Sequence, residues 1–276
     1  MLKDSLNKHG YVIIPNFLSE DELSGIISDY HAQKHTVGQN KTVNIFLLSD
    51  QYREYVGKKI IHLYNEQFED PNSTNKIDTL FPYASYVDNK LVNVPWHQDV
   101  ETSFLFQTWD YLRAYIPIIK PDRLLSGISM VSNQTIRDMG KEYEDELLER
   151  SATLLFNLGD GTAKYEDEDS GSKKIIPLDL AKNKVNLDIG PGDLVLFRGD
   201  TIHRTQDTLT HRVSITLSCM RSNGVIQKDY LTNAGGKREV YMKNNPKPYQ
   251  RIVDKFEEKN VTEMTLGEVY TNRIIS

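Results

Sequence analysis

The sequence predicts a mainly β protein, a sandwich or barrel flanked by helices, and three observations carry that prediction. From Asp78 onward, short runs rich in β-branched and aromatic residues alternate with turn signals such as Asp88-Asn89 and Gly190-Pro191-Gly192-Asp193. Seven such runs follow one another: Leu80 to Val87, Tyr111 to Ile118, Gly127 to Val131, Thr153 to Asn157, Val185 to Ile189, Leu194 to Phe197 and Arg212 to Met220. So many short strands point to sheet packed on sheet or closed on itself. The strongest helical periodicity lies ahead of this region, before residue 70.

The chain opens with Gly10-Tyr11-Val12-Ile13-Ile14-Pro15, an apolar run closed by proline and read as a strand. Ser19-Glu20-Asp21-Glu22 then supplies an N-cap with acids in the first turn, which starts a helix expected to reach about His31. Leu23, Ile26, Ile27 and Tyr30 share one face of it. A second helix is expected from Tyr52 to Phe68, with Val56, Ile60, Leu63 and Tyr64 as its apolar stripe and Pro71-Asn72-Ser73 as its stop. Within the β region, Gly140 to Arg150 reads as a helical insertion, and Gly159 to Lys174 as a polar, acidic, mobile loop. The tail after Gly235-Gly236 is basic and polar, with a helix around Tyr249 to Glu258 that could pack on the core, form a lid or serve a homodimer contact. No repeat or domain boundary interrupts this pattern. We expect one domain over 1–276: N-terminal helices in 1–70, the β core at about 78–221 and the tail from 236.

At 276 residues the chain can bury a substantial core without disulfides. Its 33 basic residues are scattered among 39 acidic ones, for a net charge of -6, so nothing forms the continuous basic stripe that nucleic acid requires. Met1 to Gly10 lacks the apolar segment of a signal peptide, and no stretch is apolar over the length of a membrane span. The lone cysteine, Cys219, sits in an apolar run and suits a reducing compartment. The expectation is a soluble, cytoplasmic protein acting on a small molecule, without nucleic-acid or membrane partners.

The chemistry concentrates in two places. In Pro95-Trp96-His97-Gln98-Asp99, an extended backbone points positions i and i+2 to one side, so His97 and Asp99 converge while Gln98 faces away. In Gly192 to His203, a glycine turn feeds an apolar strand and a second turn, Gly199-Asp200, presents His203. A His-x-Asp pair is common by chance, and the remote histidine is what gives it meaning. Two imidazoles and one carboxylate match the facial triad of non-haem Fe(II) oxygenases, which leaves coordination positions open. Arg212, which opens a strand on which Ser214 shares its face, adds a second requirement. A buried arginine needs an anionic partner, and a dicarboxylate reaching in from the metal would supply it through a bidentate pair.

Together, His97-x-Asp99, His203 and Arg212-x-Ser214 resemble the phytanoyl-CoA dioxygenase (PhyH-like) branch of the Fe(II)/2-oxoglutarate-dependent oxygenases. The opening Gly10 to Pro15 and Leu18 to Leu23 is also similar to that branch, so the resemblance runs from about residue 8 to about residue 221. It implies a double-stranded β-helix (jelly roll, cupin-like) core and a site holding Fe(II) through His97, Asp99 and His203. It also implies 2-oxoglutarate as co-substrate with its far carboxylate on Arg212, consumption of O2, and release of succinate and CO2. Hydroxylation is the implied outcome, since related halogenases lack the carboxylate ligand that Asp99 retains. By position, Thr205 and Tyr115 fall where relatives contact the co-substrate; Ser214 joins them or satisfies a backbone group. The chain departs from the family at Leu125 to Gln134, where the usual Glu-Asn-Gly and Pro-Gly-Ser-His letters are missing, so no substrate carries over.

Two residues are candidates for substrate contact. Trp96 adjoins the first ligand, and Arg113 would favour an anionic group if it faces inward, whereas facing outward it is a surface charge. His211 should face the opposite side of its strand from Arg212. Glu166 to Gly171 lacks the spaced ligands of a calcium loop, and Gly159-Asp160-Gly161 is no nucleotide fingerprint. Two rival classes remain open: a cupin-like metal-dependent hydrolase or isomerase, which has no need of Arg212, and a non-catalytic jelly-roll binding protein, which has no need of three intact ligands.

Overall fold

The computed structural model describes residues 2–34, 43–67, 77–80, 85–89, 95–99, 111–148, 153–167, 171–206, 210–229 and 246–269. Strands and helices are numbered in chain order. Among the described residues two seven-stranded sheets carry the fold. The larger runs β1 (Tyr11–Ile14), β12 (Leu194–Arg198), β6 (Tyr111–Ile119), β14 (Arg212–Met220), β4 (Ser85–Asn89) and β2 (Val43–Leu47), with β3 (Thr79–Leu80) also on β14. The smaller runs β10 (Lys173–Ile176), β9 (Ala163–Asp167), β8 (Thr153–Asn157), β5 (Trp96–His97), β13 (His203–Thr205), β7 (Ile128–Val131) and β11 (Lys184–Asn186). Every pairing in both is antiparallel. A two-stranded sheet joins β15 (Val225–Gln227) to β16 (Glu263–Thr265).

Eight helices complete the described chain: α1 (Leu2–His9), α2 (Glu20–Gln33), α3 (Asp50–Gln67), α4 (Asn133–Asp138), α5 (Lys141–Leu147), α6 (Leu180–Asn183), α7 (Pro246–Lys259) and α8 (Leu266–Val269). Ser19 caps α2 as expected, its side chain accepting from Glu22 N while Glu22 accepts from Ser19 N. Glu22 also pairs with Lys59 of α3 at 2.6 Å, which ties the two helices together.

The alternation of each strand decides what lies on which side. Leu112, Ala114, Ile116, Leu194, Leu196, Val213, Ile215, Leu217 and Cys219 project from the larger sheet onto Ile26, Tyr30, Val56, Ile60 and Tyr64 of α2 and α3. The opposite face presents Tyr115, Val195 and Phe197 to Ile128 and Met130 of the smaller sheet. That sheet's outer face packs Trp96, Leu155, Tyr165 and Ile176 against Ile136, Leu147 and Leu180. Two curled antiparallel sheets face each other and helices cover the outside, which is the jelly-roll architecture with flanking helices.

Several expectations change in detail. Gly159 to Lys174 is not one loop, because β9 and the start of β10 extend the smaller sheet there. Its charges hid the alternation: Ala163 and Tyr165 are buried, while Lys164 and Lys173 both bridge Glu166, at 2.6 and 3.5 Å. Asp88-Asn89 ends a strand rather than forming a turn, and Asp88 is buried where it accepts from Tyr30 Oη at 2.7 Å. The run Leu80 to Val87 falls into β3 and β4, and Val185 to Ile189 shortens to β11, with Leu187 and Ile189 in the core. Leu2–His9, where the sequence suggests no particular element, forms α1 with Leu6 buried. The helix in the tail is longer than expected, and Ile252 and Phe256 are fully buried. Pro71-Asn72-Ser73 and Gly235-Gly236 lie outside the described residues. Among those residues no helix is long and apolar enough to cross a membrane.

Candidate metal centre

Two neighbouring strands of the smaller sheet, β5 and β13, place the histidines. His97 and His203 are direct cross-strand partners, and their ring centroids are 4.3 Å apart. Asp99 lies two residues past His97, on the same side, and its backbone N–H donates to Gly199 O at 3.1 Å. One potential ligand atom from each of His97, Asp99 and His203 lies within 4.8 Å of the other two, and His203 Nε2 is 3.7 Å from Asp99 Oδ1. Atoms sharing one ion at about 2.0–2.2 Å stand about 3–4 Å apart, so the cluster could hold a metal ion after a small closure of its side chains.

The imidazoles are oriented for that task. His97 Nδ1 lies 2.9 Å from Pro95 O and His203 Nδ1 lies 2.8 Å from Thr201 O. A carbonyl only accepts, so each Nδ1 carries the proton and each Nε2 keeps its lone pair. Phe197 meets the His203 ring edge-on at 4.8 Å. Burial, reinforced by the nearby His97, pulls the His203 pKa down to about 4 against the opposing pull of Asp99. The ring is therefore neutral at physiological pH, as a ligand must be.

The support behind these side chains was not foreseen in the sequence. Gln98 does turn away from the cluster. Its amide nitrogen donates to Leu147 O and to Asp200 O, the latter at 2.6 Å, and its oxygen accepts from Thr153 Oγ1. Asp200 in turn takes Arg198 in a two-point pair within a turn that is fully buried, Arg198 Nε donating to Oδ1 at 2.8 Å and Nη2 to Oδ2. Gly10 O accepts from Arg198 N at 2.9 Å and from Thr201 Oγ1 at 2.8 Å, which anchors the same turn to β1. The available signal was Arg198-Gly199-Asp200, two opposite charges closing an otherwise apolar strand immediately ahead of a candidate ligand.

Arg212 and its surroundings form a second cluster on the inner side of the larger sheet. The guanidinium is buried, and Nη1 donates to Ser126 O and Gly127 O, both at 2.6 Å. Among the described residues it has no carboxylate partner, and its Nε has no hydrogen-bond partner. Tyr115, on β6, has a buried hydroxyl that likewise lacks one, and it interacts electrostatically with Arg212. Ser214 is buried two residues along β14, and Thr205 is half-buried two residues past His203 on its face. Buried donors left unmatched call for an acceptor. A carboxylate fits this set, and the His/Asp/His donors fit a divalent transition ion.

Of the two substrate candidates, Arg113 points inward: it is opposite Phe197 in the register and donates to Ser218 Oγ at 2.9 Å and Tyr111 Oη at 3.1 Å. Trp96 needs correction. Adjacent strand residues face opposite sides, so the Trp96 ring leaves the sheet on the side away from His97, in the outer core, with Arg204 stacked 5.2 Å above it. It lines an outer cavity of about 440 Å³ rather than the interior. His211 also faces away from Arg212, toward Asp88 Oδ1 at 2.6 Å.

Facing antiparallel sheets with a His/Asp/His cluster on the inner side of the smaller one define a jelly roll carrying a candidate three-ligand metal centre. Solved structures similar to it include the non-haem alpha-ketoglutarate-dependent epimerase SnoN from nogalamycin biosynthesis, at 13% identity over 82% of this chain and 83% of that one, with a TM-score of 0.54. The same epimerase in complex with Fe3+, alpha ketoglutarate and nogalamycin RO aligns at 15% identity over 82% and 84% of the two chains, again at 0.54. EvdO2 from Micromonospora carbonacea var. aurantiaca aligns at 12% identity over 80% and 90%, with a TM-score of 0.50. At such identities the likeness is one of fold. No protein-family model and no curated protein sequence matches the chain.

Proposed function

We propose that the protein is an Fe(II)/2-oxoglutarate-dependent dioxygenase that hydroxylates a small molecule, converting substrate, O2 and 2-oxoglutarate to hydroxylated product, succinate and CO2. One observation carries this reading: a three-ligand cluster faces the same interior as a buried arginine that no carboxylate of the described chain neutralises. A cupin-like hydrolase would leave that arginine without a purpose. The Fe3+ and alpha ketoglutarate bound by SnoN, whose fold this chain shares, support the same choice.

In this reading His97, Asp99 and His203 would hold the iron through two imidazole nitrogens and one carboxylate oxygen, a donor set that suits a divalent transition ion. Iron held there supplies the activation of dioxygen coupled to oxidation of the 2-oxo acid. Arg212 pairs with the distal carboxylate of 2-oxoglutarate, the Tyr115 hydroxyl donates to it, and Ser214 and Thr205 line its path. Arg113 directs an anionic group of the substrate toward the metal. The phobic surroundings of His203, from Phe197 and Met130, keep water from the ligand ring. Retention of Asp99 favours hydroxylation over halogenation, and His97-x-Asp99 with Arg212-x-Ser214 supports a PhyH-like reading by resemblance. A reducing compartment such as the cytoplasm agrees with the lone buried thiol, Cys219.

The test is succinate release. Protein loaded anaerobically with Fe(II) and then exposed to air should convert 2-oxoglutarate to succinate, slowly without substrate. Arg212→Ala should raise the KM for 2-oxoglutarate by about 10- to 100-fold, the value of a hydrogen-bonded charge pair, and leave iron affinity within a few-fold of wild type. Equal losses of both would make Arg212 a support of the fold instead.

A further inference from the structure

We propose that Lys120 is the second cation of the co-substrate seat: beside Arg212, it makes that part of the interior a two-cation receptor for a distal carboxylate. This inference rests on the 2-oxoglutarate reading above and assigns a residue that the recognisable motifs do not contain.

A β-bulge brings Lys120 into the interior. On β14, Val213 pairs with Ile119 and Ser214 with Pro117, so Ile118 is an extra residue on β6. An inserted residue reverses the faces of those that follow. Up to Ile118 the even-numbered residues of β6 point at the helices; after the bulge Ile119 does so, and Lys120 turns inward with Arg212. Lys120 is 4% exposed and Arg212 2%. Lys120 Nζ donates to Arg123 O and, at 2.8 Å, to Ile189 O. Arg212 Nη1 donates to Ser126 O and Gly127 O, later in the same connection.

The charges facing Lys120 are Asp122 and Arg123 on the turn, Arg212 on β14 and Asp188 on the segment after β11. Both acids are engaged elsewhere. Asp122 accepts from Leu124 N and Leu125 N, and Asp188 pairs with Arg123 at 2.8 Å. Among the described residues, neither Lys120 nor Arg212 has a carboxylate within ion-pair distance. Like charges side by side and out of water oppose each other. Burial, with Arg123 and Arg212 adding to it, pulls the Lys120 pKa to about 8 despite Asp122 and Asp188. An incoming carboxylate relieves the repulsion and restores the proton on Lys120, so binding above about pH 8 takes up a proton and weakens as pH rises.

Calorimetric titration of 2-oxoglutarate into Mn(II)-loaded protein tests this without turnover, from pH 6.5 to 9 in buffers of different ionisation enthalpy. The co-substrate is fully ionised across that range. Wild type should lose affinity above about pH 8, with proton uptake approaching one. Lys120→Met should bind on the order of tenfold more weakly at pH 7, as for one charge-assisted hydrogen bond, with no pH dependence. Lys120→Arg should recover the affinity and stay flat with pH, which keeps the test decisive if the methionine variant does not fold. The monocarboxylate 2-oxobutyrate, which lacks the distal charge, should bind all three alike. A wild-type affinity that is constant with pH, or equal losses for both oxo acids in Lys120→Met, would overturn the proposal and make Lys120 a tie for the turn. Failure of wild type to bind 2-oxoglutarate while it binds Mn(II) would instead overturn the co-substrate reading itself.

Discussion

Replacing Gln98 by alanine separates the support of the metal cluster from the cluster itself. The side chain is 1% exposed, donates to Leu147 O and Asp200 O, and accepts from Thr153 Oγ1. Truncation leaves two carbonyls and a hydroxyl short of a partner in a dry site, at about 1–3 kcal/mol for each group that finds no other. Water entering the vacated space recovers part of this, so the net loss should be about 3 kcal/mol. At roughly 2–4 °C per kcal/mol for a chain of this size, the melting temperature falls by about 6–12 °C. Gln98 also joins the His97–Asp99 segment to the turn that presents His203, so metal affinity should drop on the order of 10- to 100-fold, as for other groups that orient ligands. Scanning calorimetry and a competitive metal titration read both effects. A melting temperature within about 2 °C of wild type, with unchanged metal affinity, would refute the bracing role.

Two further outcomes follow from the same region. Gly10 has φ +80°, and a Cβ there would stand 2.6 Å from Asn133 Oδ1 and closer still to Thr201 Oγ1. Gly10→Ala should therefore cost about 3 kcal/mol in urea unfolding, whereas Gly161→Ala, at φ +88° in open space, should cost only about 1–2 kcal/mol of backbone strain; equal costs would contradict the close approach. The second concerns pH. The His203 pKa is depressed to about 4 by burial from an ordinary 6.5, so its contribution to the stability of the metal-free protein is complete above pH 6.5 and is lost as pH falls through about 4. Chemical unfolding at pH 7, 5.5 and 4.5 should show this slope, and His203→Gln should flatten it; a wild-type slope no steeper than the variant's would contradict the burial argument.

What could be read from the sequence was what the strand pleat encodes locally. Thr153–Asn157 and Arg212–Met220 match their expected bounds, and the α2 cap forms as its Ser-x-x-Glu spacing requires. His97 and Asp99 converge because an i, i+2 pair on extended chain must share a side. The same rule turns Trp96, the residue between Pro95 and His97, to the outer side of the sheet. Long-range features were harder. The β9–β10 hairpin was hard to read because Lys164, Glu166 and Lys173 put charges among its buried Ala163, Tyr165 and Ile176. Gln98, Arg198 and Asp200 acquire their roles only when distant segments meet. Lys120 depends on a bulge at Ile118 that leaves no mark in the composition of β6. Arg113 was ambiguous for the same reason, since its orientation follows from which face of β6 turns toward the smaller sheet.

The most direct measurement is the absorption spectrum of Fe(II)-loaded protein as 2-oxoglutarate is added under anaerobic conditions. If His97, Asp99 and His203 hold the iron and the co-substrate binds to it, wild type should develop a visible charge-transfer band that saturates at one equivalent. Asp99→Ala, with one of the three ligands removed, should show that band weakened or lost. No band in wild type, or an identical band in Asp99→Ala, would contradict the account.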